Sequence, residues 1–193
     1  MKSNLEIKSK IPPNAKCVFK GVIFDVYQWE QEMFDGTYKT FEMTRLQPSV
    51  QIIALTEDKK IVLLNERQPN RENPYISFPG GGIDFGETPK DAASRELLEE
   101  CGMKFDKLIF WREVGLISRI ETSTHYFIAK GCKVVQKPCL GSGEIIEPFF
   151  VDFAEFYKIS QQENFRNRVF SDLFFRMINN PKEIEKFKNM LFD

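Results

Sequence analysis

The sequence predicts a mixed α/β (α+β) fold, and three observations predict it. Strand-like runs lie on both sides of one central helix, that helix carries clear end signals, and two helical patterns close the chain. At 193 residues the chain suits one sizeable core with an elaborated terminus. We divide it into an N-terminal leader and hairpin extension, residues 1–46, and a main domain, residues 47–193.

The N-terminal extension combines a polar segment with a strand pair. Residues 1–15 are polar and contain Pro12-Pro13, which predicts a loose leader. Residues 18–27 and 37–44 are strand-like, and the turn signal Asp35-Gly36 lies between them. This order predicts an antiparallel hairpin.

The main domain contains five further strand-like runs and three helical patterns. The predicted strands are residues 50–55, 61–64, 108–114, 125–129 and 148–153, and residues 75–78 lead from a polar loop into the glycine loop. The predicted helices are residues 89–101, 164–178 and 182–192. The first helix is the best marked, because Thr88 suits the N-cap, Pro89 the first helical position and Gly102 the C-terminal stop.

The charge balance limits the partners of the chain. A net charge of -1 argues against binding long nucleic acid through a broad basic face. The longest apolar runs are far shorter than the roughly 20 residues that a membrane-spanning helix needs, so we expect no membrane span. A small anionic ligand remains compatible, since metal ions can supply local positive charge.

The cysteines indicate a reducing compartment rather than a metal or disulfide framework. Cys17, Cys101, Cys132 and Cys139 are scattered without a CxxC pair, and His125 is the only histidine. No secretory leader is visible in the sequence. We therefore expect reduced thiols and a cytoplasmic location.

The central helix carries a crowded acidic stripe. On a period of 3.6 residues, Glu96, Glu99 and Glu100 share about a third of the helix circumference. Like charges at these spacings weaken a bare helix, and a hard divalent cation such as Mg²⁺ would resolve the conflict. The alternative is a solvated acidic face without a ligand.

Residues around this stripe favour the metal-binding alternative. Gly80-Gly81-Gly82 lets the backbone approach closely, offering carbonyl groups to a metal or amides to phosphate. Arg95 lies beside the acidic face and can fix a carboxylate by a bidentate hydrogen bond. Residues 81–103, which we call the box segment, run as Gly81, five residues, Glu87, seven residues, then Arg95-Glu96-Leu97-Leu98-Glu99-Glu100-Cys101-Gly102-Met103.

The box segment resembles the Nudix box at every defined position. A chance match of seven fixed residues is on the order of 10⁻⁸ per start point. The resemblance implies a Nudix α/β/α sandwich around a mixed sheet and Mg²⁺-dependent, or Mn²⁺-dependent, hydrolysis of a nucleoside diphosphate linked to another group. Water would attack one phosphorus, and a carboxylate would receive its proton.

The same resemblance implies roles for individual residues. Glu96, Glu99 and Glu100 are similar to the family's metal ligands, together with a backbone carbonyl at Gly80 or Gly81. Glu99 therefore also counts among the catalytic residues. Arg95 and Glu87 resemble the residues that orient the ligands and the loop.

Outside the box segment, the chain looks most like the ADP-ribose and ADP-sugar pyrophosphatase branch of that family. Arg67 matches an arginine that contacts substrate phosphates in that branch. Residues 79–84 resemble the branch's loop entering the box, and Gly82 in that loop is a candidate substrate-binding residue. Glu144 is the better match to a further catalytic glutamate, with Glu147 the runner-up. Two positions depart from the branch: Ser77 stands where a glutamate is usual, and no proline follows the box segment at residues 115–119.

The N-terminal hairpin suggests a base contact and a partner. Trp29 and Tyr27 are candidate stacking platforms for a nucleobase. In the branch that the chain resembles, this hairpin commonly exchanges between two subunits, and an isolated hairpin is only marginally stable. We therefore expect a homodimer.

Two other functions compete with an ADP-ribose or nucleotide-sugar pyrophosphatase. One is a Nudix hydrolase of nucleoside triphosphates, dinucleoside polyphosphates or capped RNA, with nearly the same active residues. The other is a ligand-sensing Nudix domain without catalysis. The intact box segment, and the short C-terminal region of mixed charge at residues 164–193, argue against the sensing domain.

Overall fold

A computed structural model describes residues 9–117, 119–141 and 143–193, which form ten strands and four helices. The strands are β1 (Lys16–Lys20), β2 (Phe24–Glu32), β3 (Tyr38–Leu46), β4 (Ser49–Thr56), β5 (Ile61–Arg67), β6 (Tyr75–Ser77), β7 (Met103–Lys104), β8 (Lys107–Ile117), β9 (Ile120–Val134) and β10 (Ile145–Val151). The helices are α1 (Pro89–Cys101), α2 (Phe153–Ile159), α3 (Arg168–Ile178) and α4 (Pro181–Phe192).

The strands form one mixed sheet in the order β1-β2-β3-β9-β4-β5-β10. Strand β9 runs parallel to β3 and β4, and the other pairs are antiparallel. Strands β7 and β8 also pair with β9, and β6 pairs with β5. The long β9 therefore joins the N-terminal strands to the centre of the sheet.

Helices cover both faces of this sheet. Because side chains alternate along a strand, Ile53 and Leu63 face α2, α3 and α4, whereas Ile52 and Leu64 face α1. All four are fully buried, and each such side chain contributes about 1.5–3 kcal/mol to folding. The predicted mixed fold with an α/β/α sandwich is confirmed.

Two predicted strands differ from the observed ones, because one is divided by a turn and the other ends earlier. The predicted strand at residues 18–27 is two strands, β1 and β2, which turn at Gly21 and pair with each other. A side chain at Gly21 would collide with the Phe24 carbonyl, so only glycine fits this turn. The predicted strand at 148–153 ends at residue 151, because Asp152 accepts a hydrogen bond from the Glu155 N–H at 2.8 Å and begins α2.

The second predicted helix, residues 164–178, starts later than the pattern indicated. Asn164 and Arg166 form backbone hydrogen bonds to Ile76 of β6, at 2.8 and 2.7 Å, and α3 begins only at Arg168. By contrast, α1 has the predicted bounds, with Thr88 as N-cap and Gly102 at φ +64° as C-cap. The local end signals of α1 were sufficient to place both of its ends.

Part of the predicted leader is held in place. Residues 1–8 of it lie outside the described residues. Glu121 accepts hydrogen bonds from the Ser9 hydroxyl at 2.7 Å and from the Lys10 and Ile11 N–H groups at 2.9 and 3.3 Å. Residues 9–11 are therefore not loose, and Ile11 is buried. Of the helices described, none has the length and apolarity to cross a membrane.

Candidate active site

The glycine loop before α1 lies directly on the end of β4. The Val50 N–H donates to the Gly81 carbonyl at 2.9 Å, and the Ile52 N–H donates to the Pro79 carbonyl at 2.8 Å. Gly80 has φ +152°, and a side chain there would collide with the Val50 carbonyl. The close backbone approach predicted for this loop is thus present, and it requires glycine.

Arg95 organises the acidic face of α1. Its guanidinium donates to the Gly82 carbonyl at 2.9 Å and to Glu87 at 2.9 and 3.0 Å. It also donates to Glu96 at 2.8 Å and to Glu99 at 3.2 Å. One side chain therefore ties the glycine loop, the loop carrying Glu87 and two carboxylates of the stripe together.

Glu100 lies deeper than its two neighbours on the stripe. Its side chain is buried and accepts a hydrogen bond from the Gly80 N–H at 2.8 Å. Glu96 lies against Gly81, where an added Cβ would overlap its carboxylate. The helix and the glycine loop are consequently in contact at Glu96 and Glu100.

The electrostatics of the stripe are unbalanced without a cation. Burial raises the pKa of Glu100 well above its ordinary value, against the Gly80 hydrogen bond, and the charges of Glu96, Glu66 and Glu144 raise it further. Burial also raises the pKa of Glu96, with Arg95 opposing. Glu87 behaves differently, since its hydrogen bonds from Arg95 hold its pKa below the usual range.

The donor set fits a hard divalent cation. Carboxylate oxygens and backbone carbonyl groups are the ligands that Mg²⁺ prefers, and a cation would offset the burial and the repulsion that raise the pKa of Glu96 and Glu100. In the described part of the chain, no three acidic, histidine or cysteine side chains converge as a finished metal site. Arg95 holds Glu96 and Glu99, and the Gly80 N–H holds Glu100.

The late loop brings Glu144 to this face. The Cys139 N–H donates to the Glu99 carbonyl at 2.8 Å, which anchors the loop to the end of α1. Antiparallel pairing of β5 with β10 then places Ile145 opposite Arg67. Arg67 and Glu144, 77 residues apart in the sequence, therefore line one pocket of about 380 Å³.

The other predicted site residues are less closely connected to the box segment. Trp29 lines a separate pocket of about 360 Å³, whose residues belong to the N-terminal segment and strands β1–β3. Tyr27 is covered by Arg45, whose guanidinium carbon lies 4.6 Å from the ring centroid. His125 lies in β9 beside Ser123 and Glu113, at 3.2 and 3.8 Å.

Sequence reasoning missed a polar cluster beside the pocket. Buried Glu66 accepts hydrogen bonds from the hydroxyl groups of Tyr75, at 2.7 Å, and Ser77. Arg71 and Arg166 both lie over the Tyr75 ring. The spacing of Arg67 and Arg71 offered a weak local signal, whereas nothing local indicates Arg166, which reaches the cluster from the loop before α3.

A second missed residue positions the glycine loop. The Asn167 side chain accepts a hydrogen bond from the Phe78 N–H at 2.9 Å and donates one to the Gln51 side chain at 2.6 Å. It therefore links β4 to the chain two residues before Gly80. This link depends on a contact 89 residues apart in the sequence, which no spacing pattern reveals.

Comparisons with known proteins agree with this geometry. The family model described as the NUDIX domain matches residues 45–173. An ADP-ribose pyrophosphatase of Bacillus subtilis (strain 168) is 28% identical over 142 residues, covering 72% of this chain and 73% of the relative. A methanol dehydrogenase activator of Bacillus methanolicus is 27% identical over 142 residues, with the same shares of 72% and 73%.

A solved structure shows the same fold. The crystal structure of an ADP compounds hydrolase superposes with a TM-score of 0.68 and covers 91% of each chain, at 19% sequence identity. At that identity the match concerns the arrangement of strands and helices.

Proposed function

The chain belongs to the NUDIX family of pyrophosphohydrolases, and from that premise we propose that it hydrolyses the pyrophosphate of ADP-ribose or a nucleotide sugar. The products are a nucleoside monophosphate and a sugar phosphate. The observation that carries the proposal is the single pocket lined by Arg67 and Glu144 next to the acidic stripe. The B. subtilis relative, named an ADP-ribose pyrophosphatase, supports this substrate.

Glu96, Glu99 and Glu100 would hold Mg²⁺, with Mn²⁺ as an alternative ion. Of the two candidate carbonyl groups, Gly80 is favoured, because the Gly81 carbonyl already accepts the Val50 N–H. The bound ion supplies positive charge that neutralises the pyrophosphate oxygens. Arg95 and Glu87 keep the carboxylates and the glycine loop oriented.

The remaining site residues act on the substrate and on the attacking water. In this proposal Arg67 binds a phosphate by charge-assisted hydrogen bonds, and the Gly82 amide donates to a phosphate oxygen. Glu144 receives the proton of the water that attacks phosphorus. Its position in the same pocket as Arg67 supports this role.

The nucleobase end is proposed to use the N-terminal hairpin. Trp29 and Tyr27 lie on β2, which pairs with β1 and β3 and is not among the strands next to α1. We propose that these aromatic residues contact the base across a homodimer in which the hairpin reaches the partner. Exposed apolar side chains near β1 and β2, namely Val18, Phe19, Val22, Ile23 and Phe24, support such an interface. A cytoplasmic location agrees with four cysteines that are all free thiols.

The function is tested by incubating the full chain with ADP-ribose and Mg²⁺ and measuring AMP release. Glu99→Gln and Glu100→Gln are expected to lower turnover by about 10²-fold or more, since each removes a charged ligand. Glu185→Gln, on the exposed side of α4, is the matched control and should leave turnover unchanged.

Two results would overturn the proposal. If the chain consumes a nucleoside triphosphate but releases no AMP from ADP-ribose under the same conditions, the substrate class is wrong. If Glu99→Gln or Glu100→Gln leaves turnover and metal dependence untouched, the assignment of the metal ligands is wrong.

A further inference from the structure

Two arginines share one aromatic platform beside the Arg67 pocket. The guanidinium carbons of Arg71 and Arg166 lie 4.8 and 5.2 Å from the centroid of the Tyr75 ring. The Arg166 guanidinium also donates to the Tyr75 hydroxyl at 3.0 Å. Tyr75 is itself buried, so the ring is a fixed support that orients both cations.

The nearest carboxylate, that of Glu66, does not compensate the positive charges of Arg71 and Arg166. Both oxygens of Glu66 already accept hydrogen bonds from neutral hydroxyl groups, those of Tyr75 and Ser77. Arg166 reaches Glu66 only at 4.0 Å, and its side chain is 50% exposed. Burial and the Glu66 hydrogen bond raise the pKa of Tyr75 to about 12, so its hydroxyl stays a neutral donor at ordinary pH.

The local charge is therefore positive. Within the described residues, Arg67 and Arg71 form no ion pair. Three arginines, Arg67, Arg71 and Arg166, thus accompany two carboxylates, buried Glu66 and the pocket-lining Glu144, at and beside the pocket. A structural salt bridge does not need this excess, whereas an anionic ligand does.

Arg71 and Arg166 are connected to the pocket that Arg67 and Glu144 line. Arg71 lines the same pocket as Arg67 and Glu144, and a backbone hydrogen bond from its N–H to the Gln68 carbonyl at 3.0 Å fixes the turn between the two arginines. Arg166 contacts the same Tyr75 ring as Arg71. Its backbone N–H donates to the Ile76 carbonyl at 2.7 Å, which fixes its position. Arg67 and Arg71 thus share the pocket, and Arg71 and Arg166 share the Tyr75 ring.

We propose that Arg71 and Arg166 form a subsite for a phosphate group additional to the scissile pyrophosphate. The inference rests on the proposed function, which places the pyrophosphate at Arg67 and the acidic stripe. Planar guanidinium groups bind phosphate oxygens in pairs, and stacking on Tyr75 lowers the entropy lost on binding. The additional phosphate is either the next in a polyphosphate chain or one carried by the sugar.

The test compares ligands that differ by one phosphate. Dissociation constants are measured by calorimetry with Mg²⁺ for ADP and ATP analogues whose bridging oxygens are all replaced by methylene groups. The second arm compares ADP-ribose with ADP-ribose carrying a phosphate on its terminal ribose, as kcat/KM. Tighter binding of the ATP analogue than of the ADP analogue shows that the subsite takes the next phosphate of a polyphosphate chain. A higher kcat/KM for the phosphorylated ADP-ribose shows that it takes a phosphate on the sugar.

Arg71→Gln and Arg166→Gln are expected to weaken binding of the ligand with the extra phosphate by about 10-fold or more. The matched ligand without it should change by less than about twofold. Arg176→Gln is the control, since this arginine is exposed on α3 and pairs with Asp172 at 3.0 Å. Arg71→Gln touches neither Glu66 nor its hydrogen bonds, so it separates a ligand role from a fold defect.

The proposal fails if the wild-type chain shows no preference for the extra phosphate in either arm. It also fails if both variants weaken the two ligands equally, which is the signature of a purely structural cluster. The methylene analogues do not require turnover. A chain that binds them with the expected preference but releases no AMP from ADP-ribose would refute the proposed reaction and retain the subsite.

Discussion

Glu144 and Glu147 lie three residues apart, yet the sheet turns them to opposite sides. Along β10, Ile146 packs in the cluster beneath α1, and Phe149 packs in the cluster beneath α2, α3 and α4. Alternation therefore puts Glu147 on the face away from α1, whereas Glu144 precedes the strand on the α1 side. The strand register therefore favours Glu144 over Glu147 as the proposed proton acceptor.

Glu144→Gln is expected to lower kcat by about 10²–10⁴-fold, because the amide cannot accept the proton of the attacking water. KM should change little, since Arg67 remains to bind the phosphate. Glu147→Gln is the matched control and should retain nearly full kcat. The measurement is steady-state AMP release from ADP-ribose with Mg²⁺. Equal losses in the two variants would remove Glu144 from its proposed role.

Local sequence patterns predicted the site residues that contact residues close to them in the sequence. The acidic stripe and Arg95 lie on one helix, so the helical period alone indicates that Glu96 and Glu99 share a face with that arginine. Arg166 contacts Tyr75 across 91 residues, and this contact depends on how the loop before α3 folds back on β6. No residue spacing contains that information.

Helix α1 owes its position to what meets its last turn. Gly102 has φ +64°, and its carbonyl accepts the N–H groups of Val135 and Gln136 at 2.8 and 3.2 Å. A side chain at Gly102 would collide with the Gln136 carbonyl. The same chain segment continues to Cys139 and then to the loop of Glu144. The end of α1 therefore sets the position of the proposed proton acceptor.

Gly102→Ala is expected to destabilise the chain by about 2–5 kcal/mol, because left-handed strain adds to a backbone collision. Gly36→Ala provides the control. Gly36 has φ +80° but open space around it, so only the strain of about 1–2 kcal/mol applies. Urea unfolding curves of the two variants measure the difference. Equal costs would show that the Gln136 contact does not constrain the helix end.

End signals explain which elements the sequence could place. For α1, the cap, the first-turn proline and the stop glycine are all local, and both bounds are as predicted. For α2, the predicted strand at residues 148–153 continued across Asp152 to Phe153. Asp152 is instead the N-cap, and the hydrogen bond that it accepts from the Glu155 N–H marks the change from strand to helix.

At the scale of the whole molecule, Glu121 joins the N-terminal segment to the sheet. Burial alone would raise the pKa of Glu121, but hydrogen bonds from Ser9, Arg45 and the Ile11 N–H outweigh it, so the pKa lies below its ordinary value. A carboxyl with a lowered pKa in the folded state stabilises folding above its unfolded pKa, about 4.3. That stability is lost as pH falls through the lower, folded pKa.

Glu121→Gln is therefore expected to cost about 1–3 kcal/mol near pH 7 and much less near pH 3. The free energy of unfolding in urea, measured for both chains across this range, gives the difference directly. Glu42→Gln is the control, because Glu42 is exposed on β3 and accepts a hydrogen bond only from the neighbouring Gln28. A cost for Glu121→Gln that does not change with pH would contradict the charged hydrogen-bond network.

The proposed dimer depends on the apolar surface near β1 and β2. Ile23 is 69% exposed there, and Phe175 is 64% exposed on α3, so the two side chains offer matched surface at different places. A charge buried in an apolar interface without a partner is strongly unfavourable. Ile23→Glu is therefore expected to shift the chain from dimer to monomer, whereas Phe175→Glu should leave it dimeric. Sedimentation velocity over a concentration series measures both. A wild-type chain that remains monomeric throughout would rule out the dimer. A dimer that survives Ile23→Glu but is lost in Phe175→Glu would place the interface elsewhere. In either case the proposed base contact by Trp29 across subunits would fail.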